Sequence, residues 1–266
     1  MPYPTVITDL AERAGNLLLP PLGITRLEVH VEGLAVELDG FTIAHISDLH
    51  VGKGVWGPEH AEEASRRIQS EAPDVVVNTG DFLEGTPPWS RVEEEMHLFA
   101  APATDAHSNL AILGNHDYVA GESAVEILKV HLEGCGIDVL ENRSICVKSG
   151  VSFIGITDEV DGFERGVEEL LAAGRPRVGL IHMPDLAERL PPRSADLLLA
   201  GHTHGGQITV PFLEGYIVRT FCGSRYVEGR YEVNGNLLFV NRGLGCVGLP
   251  LRIRAAPELT FISLQR

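Results

Sequence analysis

Cysteine is scarce in this 266-residue chain: Cys135, Cys146, Cys222 and Cys246 stand at irregular spacing and form no C-x-x-C pair. That excludes a disulfide framework, fits a reducing compartment, and leaves each cysteine as a small buried apolar residue. Basic charge is also short. Lysine and arginine number 21 against 37 aspartates and glutamates, a formal net charge of -16, which opposes general attraction to DNA, RNA or anionic membranes. Only from Gly215 onward does the balance reverse. There Arg219, Arg225, Arg230, Arg242, Arg252, Arg254 and Arg266 outnumber Glu228, Glu232 and Glu258, mostly as solvated charges offsetting an acidic body.

Long apolar runs are missing too. No stretch reaches the length of a membrane span, and the start carries neither a basic n-region nor a twin-arginine pair. The chain therefore reads as cytoplasmic, with a peripheral membrane position as the alternative. Residues 6–19 can form an amphipathic helix, but one without a basic polar face, so packing on the body is expected rather than membrane contact. Linkers, internal repeats and low-complexity segments are absent as well. With 44% apolar residues, one domain over 1–266 is expected: a helix and lead-in strand in 1–40, a core in 41–204, and strands of a second sheet in 205–266.

What is present alternates short apolar runs with helical patterns, which indicates an α/β fold. Strands are expected at 41–47, 75–79, 110–113, 151–156, 178–181 and 197–200, several apolar throughout, as strands covered on both faces are. Helices are expected at 58–70, from a Ser90/Glu93 capping box, at 123–133 stopping on Gly134, and at 163–173 stopping on Gly174. Leu27, Val29 and Val31 alternate with polar residues in the lead-in strand. After His204 short extended pieces at 207–210, 216–220, 237–240 and 259–262, with an Asn234-Gly235 turn, predict a second, mostly antiparallel sheet.

Five polar clusters sit directly after apolar strands, where ligands of open α/β sheets gather. Asp48-Leu49-His50 sets a carboxylate and an imidazole at i and i+2, which on extended backbone point the same way. Gly80-Asp81 offers a carboxylate able to bridge two cations behind a glycine that permits a close turn. Gly114-Asn115-His116-Asp117 combines an amide oxygen, an imidazole and a carboxylate. His182 ends a strand, and Gly201-His202-Thr203-His204-Gly205-Gly206 presents two imidazoles from one loop. Singly, Asp48-x-His50 reads better as a turn beside a surface histidine and His182 as a structural histidine, Gly80-Asp81 reads equally well as a turn, and only Gly114-Asn115-His116-Asp117 reads better as a site than as an Asn-rich turn. Their common placement argues for one site.

In these residues the sequence resembles the calcineurin-like metallophosphoesterase superfamily, whose pattern D-x-H, G-D, G-N-H-D, H, G-H-x-H runs unbroken from Asp48 to His204. Gly205-Gly206-Gln207 and Arg242-Gly243-Leu244-Gly245 are similar to the bacterial branch of phosphodiesterases and UDP-diacylglucosamine pyrophosphatases. The resemblance implies two packed mixed β-sheets flanked by helices in an α/β/β/α sandwich, and two divalent cations. It places one cation on Asp48, His50 and His204 and the other on Asn115, His182 and His202, with Asp81 bridging. His116 then stabilises the transition state or protonates the leaving oxygen, and Asp117 fixes its tautomer. Oxygen and nitrogen ligands without thiolate suit manganese, iron or zinc better than calcium.

The implied reaction is hydrolysis of a phosphodiester or pyrophosphate bond in a small or lipid-linked substrate. Phosphomonoester hydrolysis and a non-catalytic interaction module on the same fold are the alternatives, the latter usually marked by lost ligands. Residues 117–182 carry ordinary helix and strand patterns and leave no insertion for a large acyl-chain lid. Arg242, in a glycine-rich stretch, is a candidate for contact with phosphate. Phe82, Leu83 and Trp89 either line a pocket for an apolar leaving group or pack a rigid loop beside Pro87-Pro88. His45 is expected in the core, and His30, His60, His97, His107 and His131 as exposed or structural.

Overall fold

The computed structural model describes residues 20–52, 58–99, 109–147, 150–157, 161–209, 223–249 and 251–266. The helix expected at 6–19, the strand expected at 216–220, His107 and Cys222 lie outside them.

In chain order the elements are β1 (Gly23–His30), β2 (Thr42–Ile46), β3 (Val51–Gly52), α1 (Pro58–Glu71), β4 (Val75–Asn78), β5 (Leu83–Glu84), α2 (Trp89–Phe99), β6 (Asn109–Ala111), α3 (Asn115–Val119), α4 (Glu122–Gly134), β7 (Asp138–Val139), β8 (Arg143–Cys146), β9 (Ser152–Gly155), α5 (Phe163–Ala172), β10 (Arg177–Leu180), β11 (Leu197–Ala200), β12 (Gly229–Val233), β13 (Asn236–Val240) and β14 (Glu258–Gln265). One six-stranded sheet runs β1-β14-β2-β4-β6-β7, the other β12-β13-β11-β10-β9-β8, and β3 pairs with β5. Each large sheet mixes parallel and antiparallel pairs.

Side-chain alternation builds the layers. Ile43, Val75, Val77, Leu110, Phe153, Val178, Leu180, Leu197, Leu199 and Phe239 pack between the sheets. Their neighbours Ala44, Ile46 and Val76 turn outward onto α1, α2 and α4, where Ala61, Ile68, Met96 and Leu128 meet them. Leu198, Ala200 and Leu238 turn out from the other sheet toward Leu170 of α5. This is the α/β/β/α sandwich, with central strands apolar on both faces.

Three local expectations are corrected. Among the described residues, the strands after His204 form no sheet of their own. β12 and β13 pair through the Asn234-Gly235 turn and join the second sheet, whereas β14 returns between β1 and β2, where its alternating Leu259, Phe261, Ile262 and Leu264 serve both cores. Ser90 does not cap α2: the Pro88 carbonyl accepts from Arg91 and Val92, which puts Ser90 inside the first turn. Neither Gly134 nor Gly174 supplies a left-handed helix stop. At the end of α4 that residue is Gly136 (φ 73°), with Ile137 N–H bonding back to the Leu132 carbonyl and Gly136 N–H to that of Glu133. The chain leaves α5 extended at Ala173.

Cys135, Cys146 and Cys246 are free thiols. Among the described residues no helix is long and apolar enough to cross a membrane.

His45 points from β2 into the inter-sheet core, fully buried, with Nε2 2.9 Å from Thr79 Oγ1 and its ring edge toward Phe239. Burial pushes its pKa down to about 3 from 6.5. Between those values the unfolded chain binds a proton that the folded chain refuses, so this contribution is complete above pH 6.5 and is lost as pH falls toward 3. Urea denaturation at pH 7 and pH 5 should therefore show wild type losing more stability on acidification than His45→Gln. Equal losses would contradict a neutral buried His45.

Candidate metal centre

Asp48 and His50 follow β2, Asp81 follows β4, Asn115 and His116 open α3 just beyond β6, His182 follows β10, and His202 and His204 follow β11. The carboxyl ends of three strands in one sheet and two in the other thus converge at one end of the sandwich. The gap is closed by direct contacts. His202 N–H reaches both Asp48 carboxylate oxygens at 3.0 and 3.1 Å, His182 Nε2 lies 3.0 Å from Asp81 Oδ2, and His50 Nε2 lies 3.0 Å from His204 Nε2.

The backbone here is not extended as the D-x-H spacing suggested. Asp48, His50, Asp81, His202 and His204 all have φ between 50° and 73°, in the left-handed region that side-chain-bearing residues rarely occupy. Surrounding bonds hold them there: Asp48 N–H donates to the Gly80 carbonyl, His50 N–H to that of Asp81, and Gly245 N–H to that of Asp48. Such strain persists only where the fold over-determines it, and it clusters at functional sites. Space is equally tight. A Cβ on Gly114 would stand 2.2 Å from Asp81 Oδ1 and 2.7 Å from His182 Cε1, and one on Gly201 would stand 2.3 Å from Asp48 Oδ2.

Three groups bring ligand atoms within coordinating reach of one another: Asp48 with His50 and His204, Asp81 with His182 and His202, and His50 with Glu84 and His116. His50 Nε2 is also 3.6 Å from Asp81 Oδ2, and His204 Nε2 is 3.5 Å from Asp48 Oδ1. The residues fit cations. The buried Asn115 Oδ1 makes no hydrogen bond, an expensive condition unless something electropositive meets it. His182 Nδ1 lies 2.7 Å from the Thr79 carbonyl, to which its N–H donates, so Nε2 is the nitrogen that faces the cluster. Burial opposes charge on both Asp81 and His182. Their mutual attraction nonetheless holds the Asp81 carboxyl well below its usual range and lifts His182 to about 10, so the pocket draws positive charge.

His116 stands beside this cluster, its ring edge-on to His50 at 4.8 Å between centroids. Its Nδ1 is 3.0 Å from Glu84 Oε2, the same oxygen that lies 3.1 Å from His50 Nδ1. Glu84 was missed in the sequence; its placement three residues after Asp81, in the short strand β5 beside β3, is the signal that could have found it. Asp117 does not orient His116. Its carboxylate accepts backbone N–H groups of Asp81 (3.0 Å), Gly114 (2.9 Å) and Leu83 (2.9 Å), which ties two site loops together. Burial and the neighbouring Asp81 raise its pKa to about 7.

Arg242 is held elsewhere. Its Nη1 and Nη2 lie 3.3 Å from Glu228 and Glu258, and Nε donates to the Ala256 carbonyl, so carboxylates already occupy the fork expected to meet phosphate. Phe82 and Leu83 are buried in the core beneath the helices, and Trp89 stacks on His131, so they line no leaving-group pocket.

The sequence profile of the calcineurin-like phosphoesterase family matches residues 41–206, more than half of the chain. The uncharacterised metallophosphoesterase YkuE of Bacillus subtilis is 31% identical over 233 residues, which cover 85% of this chain and 80% of that protein. The phosphodiesterase YaeI of Escherichia coli is 28% identical over 229 residues, covering 84% and 82%.

Gly114→Ala tests the packing of the cluster. The added methyl must displace Asp81 or His182, so metal analysis should find fewer bound divalent cations than in wild type, with circular dichroism unchanged. Wild-type stoichiometry would contradict the close approach.

Proposed function

The chain belongs to the calcineurin-like phosphoesterase family, and we propose that it hydrolyses a phosphodiester or pyrophosphate bond in a small substrate at the centre formed by Asp48, His50, Asp81, Asn115, His182, His202 and His204. The observation that carries this reading is the convergence of six of these side chains, all but Asn115, from two sheets onto one cluster, with the His116–Glu84 pair at its edge and Asn115 opening the helix beside it. Asp48, His50 and His204 would hold one divalent cation, Asn115, His182 and His202 a second, with Asp81 shared; manganese, iron and zinc suit this oxygen and nitrogen set. Two such cations, when bound, orient the phosphate and lower the pKa of a water between them.

The chain's own groups do the rest. Asp81, below its usual carboxyl range, stays ionised at neutral pH. Thr79 and Glu84 accept from the outer nitrogens of His182 and His50 and so aim the inner nitrogens at the cations. Glu84 also accepts from His116 Nδ1–H, leaving Nε2 to deliver a proton to the departing oxygen as the phosphorus–oxygen bond breaks. Asp117 keeps the Asp81 and Gly114 loops in register instead of touching the reacting atoms. A diester is favoured over a monoester because the second charge of a monoester needs a cation, and the Arg242 fork is committed to Glu228 and Glu258.

Parallel assays of a bis-aryl phosphodiester, an aryl phosphomonoester and a nucleotide pyrophosphate with added manganese should give the diester or the pyrophosphate the highest kcat/KM. Faster cleavage of the monoester would overturn the preference. His116→Ala should keep both cations and lose about 10²- to 10⁴-fold in kcat, whereas Asp81→Asn should lose cations and turnover together. If His116→Ala instead loses a cation, that residue is a ligand and not the acid.

A further inference from the structure

Among the described residues, β1 (Gly23–His30) is the outermost strand at one side of its sheet. Its eight residues run in unbroken register against β14, with no proline, lysine or bulge, the devices that usually keep exposed sheet edges apart. The opposite side of the same sheet ends in β7, which is only two residues long. An edge as long and regular as β1 presents a row of backbone groups ready to be paired.

The backbone fixes which residues face outward. Gly23 N–H donates to the Pro257 carbonyl and Val31 N–H to that of Gln265, both on the β14 side. Alternate residues of a strand point their N–H and C=O groups to opposite edges, so Ile24, Arg26, Glu28 and His30 offer theirs away from β14. The side chains of these four share one face of the strand and are all exposed.

Charge then selects the partner and the register. A second copy of this chain, brought up antiparallel about a two-fold axis, pairs well only where outward residues meet outward residues. Pairing most of the strand therefore puts the axis at residue 26, 27 or 28. At Arg26 or Glu28 it sets identical charges directly opposite one another, which is destabilising. At Leu27 it sets Arg26 opposite Glu28 of the second copy, does the same for Glu28 and Arg26, and lays Ile24 against His30 on either side. Both charges are available for this. Glu28 makes no ion pair among the described residues. Arg26 donates through Nη1 and Nη2 to Glu71 at 2.8 and 2.7 Å and lies over the Phe261 ring, which holds the guanidinium at the edge with further N–H groups to give.

We propose that β1 is a self-association edge: two copies of this chain pair antiparallel about Leu27 and join their six-stranded sheets into one continuous sheet. The pairing is independent of the chemistry proposed above.

Sedimentation equilibrium of the full chain across the micromolar range should show wild type passing from monomer to dimer. Glu28→Arg, which sets arginines opposite one another twice, should weaken the dimer about 10- to 100-fold. Glu28→Pro, which removes an outward N–H and no bond to β14, should abolish it. Circular dichroism should match wild type in both, and Glu28→Arg decides if Glu28→Pro does not fold. Leu27→Cys reads the register, because its two copies would stand about 4.5 Å apart at Cα, within reach of a disulfide. Thr25→Cys would face Val29 instead of its own copy. Mild oxidation should therefore cross-link Leu27→Cys into a covalent dimer well ahead of Thr25→Cys or wild type. A wild-type chain that stays monomeric, a dimer left intact by the Glu28 variants, or equal cross-linking of the two cysteine variants would overturn the proposal.

Discussion

The structure is organised around a concentration of lone pairs that the protein alone cannot satisfy. Two buried carboxylates and four imidazoles face one another at the end of the sandwich, within about one coordination shell. In a medium of low dielectric such groups repel or stay unpaired, and either condition is expensive. The fold tolerates it because five of these groups are held by their neighbours: His182 by Thr79, His50 by Glu84, His204 by Arg252, Asp48 by the His202 amide, Asp81 by the His116 amide. Divalent cations are what this arrangement is built to take.

That demand explains features of the backbone that otherwise read as defects. Five candidate ligands carry positive φ, and glycines at 114 and 201 leave no room for a methyl. The loops after β2 and β4 hold each other by hydrogen bonds that continue into β3 and β5, so strain in one is borne by the other. Asp117 extends the same logic, spending a fully buried carboxylate on three backbone amides so that the Asp81 and Gly114 loops stay in register.

Much of this was legible in the sequence because strands covered on both faces announce themselves as apolar runs, and five of the six runs up to His204 end in a polar cluster, three of them opened by a glycine. Residues 197–200 are a strand at those bounds, and the others shift by a residue or two. What escaped was tertiary. Glu84 lies in a two-residue strand too short to show a pattern, and its partnership with His116 and His50 exists only because β5 packs beside β3. Asp117, adjacent to His116 in sequence, points the other way because helical residues one apart do not share a face. Arg242 and Arg252 look alike in a basic tail, yet one meets Glu228 and Glu258 and the other enters the core. The destination of β14 was likewise hidden, since an alternating strand fits either sheet until its neighbours are known.

Diffraction data collected at the manganese absorption edge from Mn(II)-loaded crystals test the central claim most directly. The account predicts two anomalous peaks per chain about 3.5 to 4 Å apart, with the Asp81 carboxylate between them and His116 outside both coordination shells. A single peak, or a peak bound by Glu84 and His116, would contradict it.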